Sequence, residues 1–248
     1  MTETSDLPSV LTDRLVSALN TISAATLTHQ LQMRGIRSTF LSGLKALHPE
    51  KRMVGRARTL RYVALREDQQ PRLAGGLNAQ KRVVESIQPG DVLVIEARGV
   101  PDAGTIGDIF VTRLVALGGT GIVTDGALRD TPAIADIGVP VYHQASHGST
   151  YGRHHMPYSV DDSVTCAGVF VMAGDVVVGD AEGAVVIPAA LVEDVVRDAL
   201  AQEEKETFAL EKVAEGQPTL DLFPLAKERL PEFEAWKTAR DAQQGGQK

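Results

Sequence analysis

The sequence predicts an α/β protein whose sheet is built mainly from parallel strands, and three observations carry that prediction. Between residues 92 and 143, apolar strand-like runs alternate with helical stretches, the pattern of a parallel sheet covered by helices. One of these runs, VLVIEA at 92–97, is almost wholly apolar, as a strand buried on both faces must be. Beyond residue 160 the text changes to short apolar runs broken by Gly-Asp and Glu-Gly pairs, which reads as a β-meander packed on the parallel part.

Residues 8–19 place Leu11, Leu15, Ala18 and Leu19 at helical spacing. A second helix starts near Ser23, whose hydroxyl suits an N-cap, and runs to about Met33 before Gly35. The stretch RMVGRARTLRYVAL (52–65) reads as a strand, with Arg56 and Arg58 facing solvent or an interface. The segment REDQQPRLAGG is polar and punctuated by proline and glycine, hence a loop, and a short helix follows over about 78–88. Pro89-Gly90-Asp91 is a turn into the 92–97 strand. A helix over about 107–117, a strand at 121–124, a turn at Asp125-Gly126, a helix over about 131–136 and the strand VPVYH complete the alternation.

Turns at Gly174-Asp175, Gly179-Asp180 and Glu182-Gly183 separate the later strands. Pro188 opens a long helical stretch over about 189–214, a proline there losing nothing by its missing N–H. Gly216 and Pro218 end it, a last helix spans about 222–240, and the tail from Asp241 is expected to be disordered. The economical organisation is one domain over 1–248, with its core at about 50–190 and helical extensions at about 8–34 and 189–240. Terminal helices have little of their own chain to cover their apolar faces, so subunit contacts are expected of them, including one made by Trp236.

At 248 residues, 43% hydrophobic and 23% charged, the chain can fill one sizeable core. A net charge of −7 argues against a nucleic-acid partner, because phosphate binding needs a basic surface. No apolar run approaches the roughly 20 residues that span a bilayer, and the N-terminus lacks the basic and apolar regions of a signal peptide. The one cysteine, Cys166, excludes an intramolecular disulfide and reads as a small core residue. A cytoplasmic protein, away from membranes, is expected.

The chemistry concentrates between Gly104 and Asp130. Gly104 and Gly107 let backbone approach a ligand, and the helix that follows leaves its first amides without intrahelical partners, a natural anion cradle. Arg129 and Asp130 follow the carboxyl end of an expected parallel strand, where open α/β sheets hold ligands. Arginine grips a carboxylate with two parallel hydrogen bonds, and aspartate is a hard oxygen ligand suited to magnesium, which needs only one or two carboxylates. Plainer readings stand beside these. Asp108 can serve only the dipole of its helix, and Arg129 and Asp130 can form a surface pair or cap the helix near Thr131.

The segment HQASHGSTYGRHHMPYS (143–159) holds four of the six histidines. Their spacing matches no structural zinc pattern. Either His143, His147 or Arg153 reads part of a substrate, or the segment is an ordinary surface loop.

Gly104-x-x-x-Asp108, then twenty residues, then Arg129-Asp130 resembles the signature of the class II pyruvate aldolases. These act on 4-hydroxy-4-methyl-2-oxoglutarate and 4-carboxy-4-hydroxy-2-oxoadipate, and the same family includes the proteins called regulator of ribonuclease activity A. The resemblance extends through Pro89-Gly90-Asp91-Val92 and the Gly174-Asp175 to Pro188 segment, covering about 50–215. It implies a compact α/β/β/α swivelling-domain fold assembled as a homotrimer or hexamer. It also implies a lyase that releases pyruvate through its enolate with Mg2+ or Mn2+, and that decarboxylates oxaloacetate at the same site. In that picture Arg129 and the amides of Gly107, Asp108, Ile109 and Phe110 hold the pyruvoyl carboxylate. Asp130 binds the metal directly, Asp108 binds it through water, and Glu206 of a neighbouring subunit completes the site. The other function the family name implies is a non-catalytic regulator of an RNA-degrading enzyme.

Overall fold

The computed structural model describes residues 11–245; residues 8–10 of the first expected helix and 246–248 of the expected tail lie outside the described residues. The chain divides into two compact units, Met1–Val196 and Arg197–Lys248.

The first unit opens with α1 (Asp13–Leu19) and α2 (Ala24–Met33), each started by a hydroxyl cap: Thr12 accepts from the Leu15 amide and Ser23 from the Thr26 amide. There follow β1 (Lys45–Ala46), β2 (Met53–Ala64), α3 (Gln70–Leu73), α4 (Ala79–Glu85), β3 (Asp91–Glu96), β4 (Gly104–Ile106), α5 (Asp108–Ala116), β5 (Gly121–Leu128), α6 (Thr131–Ile137), β6 (Val141–Ser146) and β7 (His155–Val160). The meander is β8 (Val164–Cys166), β9 (Val169–Val171), β10 (Val176–Gly179) and β11 (Ala184–Ile187). The main sheet runs β1-β6-β5-β3-β2-β10-β11, with β4 paired to β5 and β7 to β2. β2, β3, β5 and β6 are parallel neighbours, as are β4 and β5. The expected α/β fold with parallel strands is the one observed.

Strand β3 shows why its sequence is apolar throughout. Leu93 and Ile95 pack into one core with Val83 and Val84 of α4, Leu114 of α5 and Ile134 of α6. Val92 and Val94 point the other way, into a second core with Met53, Val123, the valines of β8 and β9 and Val177 of β10. Alternate residues of one strand thus serve two faces, and a polar residue on either would be buried. Cys166 lies wholly inside the second core.

Three expectations about the first unit need correcting. Arg56 and Arg58 do not face solvent. Both reach the fully buried Asp91, Arg56 at 2.8 Å and Arg58 at 3.5 Å, and Arg58 also pairs with Asp161 at 2.7 Å. The reason is topological: β2 is an interior strand, flanked by β3 and by β10 and β7. The turn expected at Asp125-Gly126 is instead a register shift inside β5, between Thr124 and Ala127. A Cβ on Gly126 would lie 2.6 Å from the Ala97 Cβ, so this glycine serves close packing rather than a turn. The loop at 66–76 contains the short helix α3.

The second unit contains α7 from Arg197 onward (the helix is Val192–Ala214) and α8 (Leu230–Gly245). Residues 241–245, expected to be disordered, continue α8. Phe208, Ala209, Leu222 and Phe233 form its small core, with Leu225 and Trp236 against them. Trp236, expected at a subunit contact, stands 5.6 Å from Phe208 ring to ring and donates to Glu211. Among the described residues no helix is long and apolar enough to cross a membrane.

Candidate functional site

The two halves of the stretch, Gly104–Asp108 and Arg129–Asp130, have twenty residues between them in sequence and are stitched together in space. Strand β4, which no local pattern announced, pairs Gly104 with Ala127 of β5, and the Arg129 amide donates to the Ile106 carbonyl at 3.0 Å. Gly107 then caps α5, whose first internal bond runs from the Val111 amide to the Gly107 carbonyl at 3.1 Å.

Both glycines are required by the pair opposite them. A Cβ on Gly104 would lie 2.6 Å from the Arg129 Cβ and 2.9 Å from the Ser149 carbonyl oxygen. A Cβ on Gly107 would lie 2.9 Å from Asp130 Oδ2. The absent side chains therefore make the space into which Arg129 and Asp130 fit.

Asp130 occupies the N-cap position of α6, yet its side chain makes no capping bond. Its backbone is left-handed, with φ 58° and ψ 36°, a region few residues other than glycine adopt without local cause. The carboxylate is directed instead toward Gly107 at the start of α5. Arg129 lies beside it, Nε 3.6 Å from Oδ2, with the two side chains 45% and 35% exposed. A pair this exposed is worth at most about 1 kcal/mol, so it does not explain the arrangement. Asp108, partly exposed in the first turn of α5, accepts the Ile109 amide on Oδ1 at 2.7 Å. Of the four amides expected to cradle an anion, that of Ile109 is therefore already engaged. Ile109 itself is exposed, and Phe110 packs on the first core.

The structure thus brings Gly107, Asp108, Arg129 and Asp130 together. Glu206 belongs to the second unit, on α7, where it accepts from Gln202 at 2.7 Å and borders an apolar groove with Leu210, Val213 and Phe223. Among the described residues no group of three or more His, Cys, Asp or Glu side chains could hold a metal alone. The donor set, hard carboxylate oxygens few in number, suits a cation that keeps most of its waters.

The histidine-rich segment is not a single loop but spans β6, a short 3-10 turn at Tyr151–Arg153 and β7. His143 and His155 are buried, and burial lowers the pKa of both rings. His155 lies against Tyr62, ring centroids 5.6 Å apart, and is approached by Arg98 at 3.2 Å from Nδ1, which adds to burial in pushing its pKa down to about 4. His154 pairs with Asp102 at 3.0 Å. Arg98 and Asp102, which anchor this segment, carry no signal in the sequence. Arg98 is set by a left-handed backbone, in a loop whose Ala97 and Gly99 amides donate to the buried Asp125.

A parallel sheet with this arrangement at its strand ends defines a class of α/β protein, and comparison places the chain within it. The chain belongs to the RraA-like family: the family model Aldolase/RraA matches residues 20–186. A Halalkalibacterium halodurans protein named "Putative 4-hydroxy-4-methyl-2-oxoglutarate aldolase" is 32% identical over 164 residues, 64% of this chain and 70% of that protein. The crystal structure of RraAS2 from Streptomyces coelicolor, described as an unusual member of the RNase ES inhibitor RraA protein family, matches with TM-score 0.74. It is 36% identical and covers 80% of this chain and 96% of that one. An uncharacterized protein from Pseudomonas syringae has the same TM-score at 24% identity, covering 86% of this chain and 98% of its own, and supports the fold alone. The family therefore includes proteins named as aldolases and proteins named as RNase inhibitors.

Proposed function

We propose that this chain is a divalent-metal-dependent class II aldolase, a carbon–carbon lyase that cleaves a 4-hydroxy-2-oxo acid to pyruvate and a second carbonyl compound. The observation that carries the reading is Asp130: it sits at a helix N-cap without capping, in a left-handed backbone, with its carboxylate aimed at the start of α5.

In this reading Arg129 holds the pyruvoyl carboxylate through its planar fork, and the dipole and free amides of the α5 N-terminus (Gly107, Asp108, Phe110) favour the same anion. Asp130 would hold Mg2+ or Mn2+ directly and Asp108 through water, with Glu206 of a second copy completing the set in a homotrimer or hexamer. A cation bound there supplies Lewis acidity to the 2-keto oxygen. Asp108 keeps one oxygen on the Ile109 amide, so its orientation is fixed while Oδ2 is left to hold water that returns the proton to carbon. Oxaloacetate decarboxylation follows at the same residues, because it leaves the same enolate of pyruvate.

The test is a screen of 4-hydroxy-2-oxo acids and oxaloacetate with Mg2+ or Mn2+, reading pyruvate release. Release by the parent, lost in Asp130→Ala with an unchanged thermal midpoint, is the expected result. An Asp130→Ala protein that turns over like the parent refutes the reading. The name of the Streptomyces relative favours a second one, a regulator that binds an RNA-degrading enzyme. A binding protein has no need of Asp108, Arg129 and Asp130 together, so stoichiometric capture of such an enzyme by the triple alanine variant would favour regulation.

A further inference from the structure

Beyond the pyruvoyl group, a 4-hydroxy-2-oxo acid has a second half to be recognised, and three residues of the histidine-rich segment are candidates. His143 is excluded by burial within β6, where its Nδ1 bonds the Ala145 carbonyl oxygen at 2.9 Å. Arg153 is committed elsewhere, 3.6 Å from Asp102 and with Nε 3.1 Å from His154 Nε2.

His147 is placed differently. Ser146 is the register partner of Leu128 in the parallel ladder of β5 and β6, and the His147 amide donates to the Leu128 carbonyl at 2.9 Å. His147 thus follows the last pair of that ladder on β6 as Arg129 follows it on β5, the two strands lying about 4.8 Å apart. The chain then crosses to β4, where the Gly104 amide donates to the Ser149 carbonyl at 2.9 Å. The Cβ position of Gly104 lies within 3 Å of both Arg129 Cβ and that carbonyl, so Ser149 borders the base of the Arg129 side chain.

The ring is pinned as well. The Ser149 amide donates to His147 Nδ1 at 3.1 Å. A backbone N–H can only donate, so Nδ1 is the acceptor and the proton of the neutral ring sits on Nε2. Nε2 has no hydrogen-bond partner among the described residues, and the side chain is half-buried. The result is a donor of fixed tautomer and restricted orientation next to the carboxylate clamp.

We infer that His147 is a specificity-determining residue whose Nε2–H reads the second carboxylate of a dicarboxylic 4-hydroxy-2-oxo acid, on the half remote from the pyruvoyl group. This rests on Arg129 holding the pyruvoyl carboxylate. The test uses the full chain with Mg2+ and the variant His147→Asn, whose amide oxygen takes the place of Nδ1 and keeps the bond from Ser149 while deleting the Nε2 donor. Three rates are read: kcat/KM for a dicarboxylic 4-hydroxy-2-oxo acid, kcat/KM for a monocarboxylic one of equal length, and exchange of the pyruvate methyl protons with solvent deuterium. His147→Asn should lower the first, mainly through KM, by about tenfold or more relative to the other two, the loss expected for a hydrogen bond to a charged group.

His147→Gln, which keeps a donor near the place of Nε2 but not the acceptor, should recover part of that ratio. A uniform loss across all three rates, or recovery of none of the ratio by glutamine, overturns the inference and makes His147 a structural residue while the Arg129 reading stands. A parent that neither exchanges nor releases pyruvate sinks both. If His147→Asn does not fold, the same ratio is read on His147→Ala.

Discussion

Replacing Gly107 by alanine isolates the position of the Asp130 carboxylate from the stability of the fold. At φ −120° and ψ 176° the residue is in ordinary extended backbone, so alanine brings no conformational strain. The poorer N-cap and the lower entropy of the unfolded chain oppose each other, each at about 0.5–1 kcal/mol, so the thermal midpoint should move by no more than about 4 °C. The new Cβ, however, starts 2.9 Å from Asp130 Oδ2, and ordinary contact begins at 3.4 Å. The carboxylate must retreat by about half an ångström, and being partly exposed it can do so easily. Misplacing a reacting group by about 1 Å lowers rates by about a hundredfold, so half of that predicts a roughly tenfold fall in kcat/KM for pyruvate release, with a raised Mg2+ requirement.

The control is Gly104→Ala, whose Cβ would meet the Arg129 Cβ and the Ser149 carbonyl, neither of which can swing away. Overpacking there should destabilise by about 1–3 kcal/mol, or roughly 2–12 °C in thermal midpoint. Gly107→Ala activity within twofold of the parent, or a melting point as low as that of Gly104→Ala, would refute the reasoning.

Three other outcomes are expected. Arg129→Lys keeps the charge but loses the planar fork, so kcat/KM should drop at least tenfold; a change under twofold would remove the clamp role. Asp91→Ala strips the fully buried carboxylate shared by Arg56 and Arg58 and should destabilise by about 3–5 kcal/mol, measured by urea unfolding; an unmoved midpoint would mean those guanidiniums are not held by it. For pH, His155 has its folded pKa pushed down to about 4 by burial and by Arg98, so its contribution is complete above the unfolded value near 6.5. It is lost as pH falls toward 4, because only the unfolded chain takes up the proton there. His143 acts in the same direction, while Asp125 and Asp175, whose carboxyls are pushed up by burial, oppose it. The pH dependence of urea stability between 6.5 and 4 should flatten in His155→Phe, and an unchanged slope would show that this ring does not set it.

Much of the fold is legible along the chain. The run at 92–97, the cap at Ser23 and the alternation from 92 to 143 all depend on neighbours within a few residues, the range over which periodicity and capping operate. The spacing from Asp108 to Arg129 likewise stands in the text, and with it the chemistry proposed for the stretch. Where those groups lie is decided by contacts that join residues distant in sequence. Only the β4–β5 pairing reveals that Gly104 and Gly107 make room for Arg129 and Asp130. The burial of Arg56 and Arg58 follows from strand order, since the same residues on an edge strand would face water. The histidines show the division most plainly. Residues 143, 147 and 155 are alike as letters, yet β6 and β7 bury two of them, and the bond from Ser149 leaves the third partly exposed with its free nitrogen a donor. Residue type and spacing select the chemistry available to this chain. Its address in the fold comes from tertiary contacts alone, because burial and strand pairing depend on partners that lie far along the sequence.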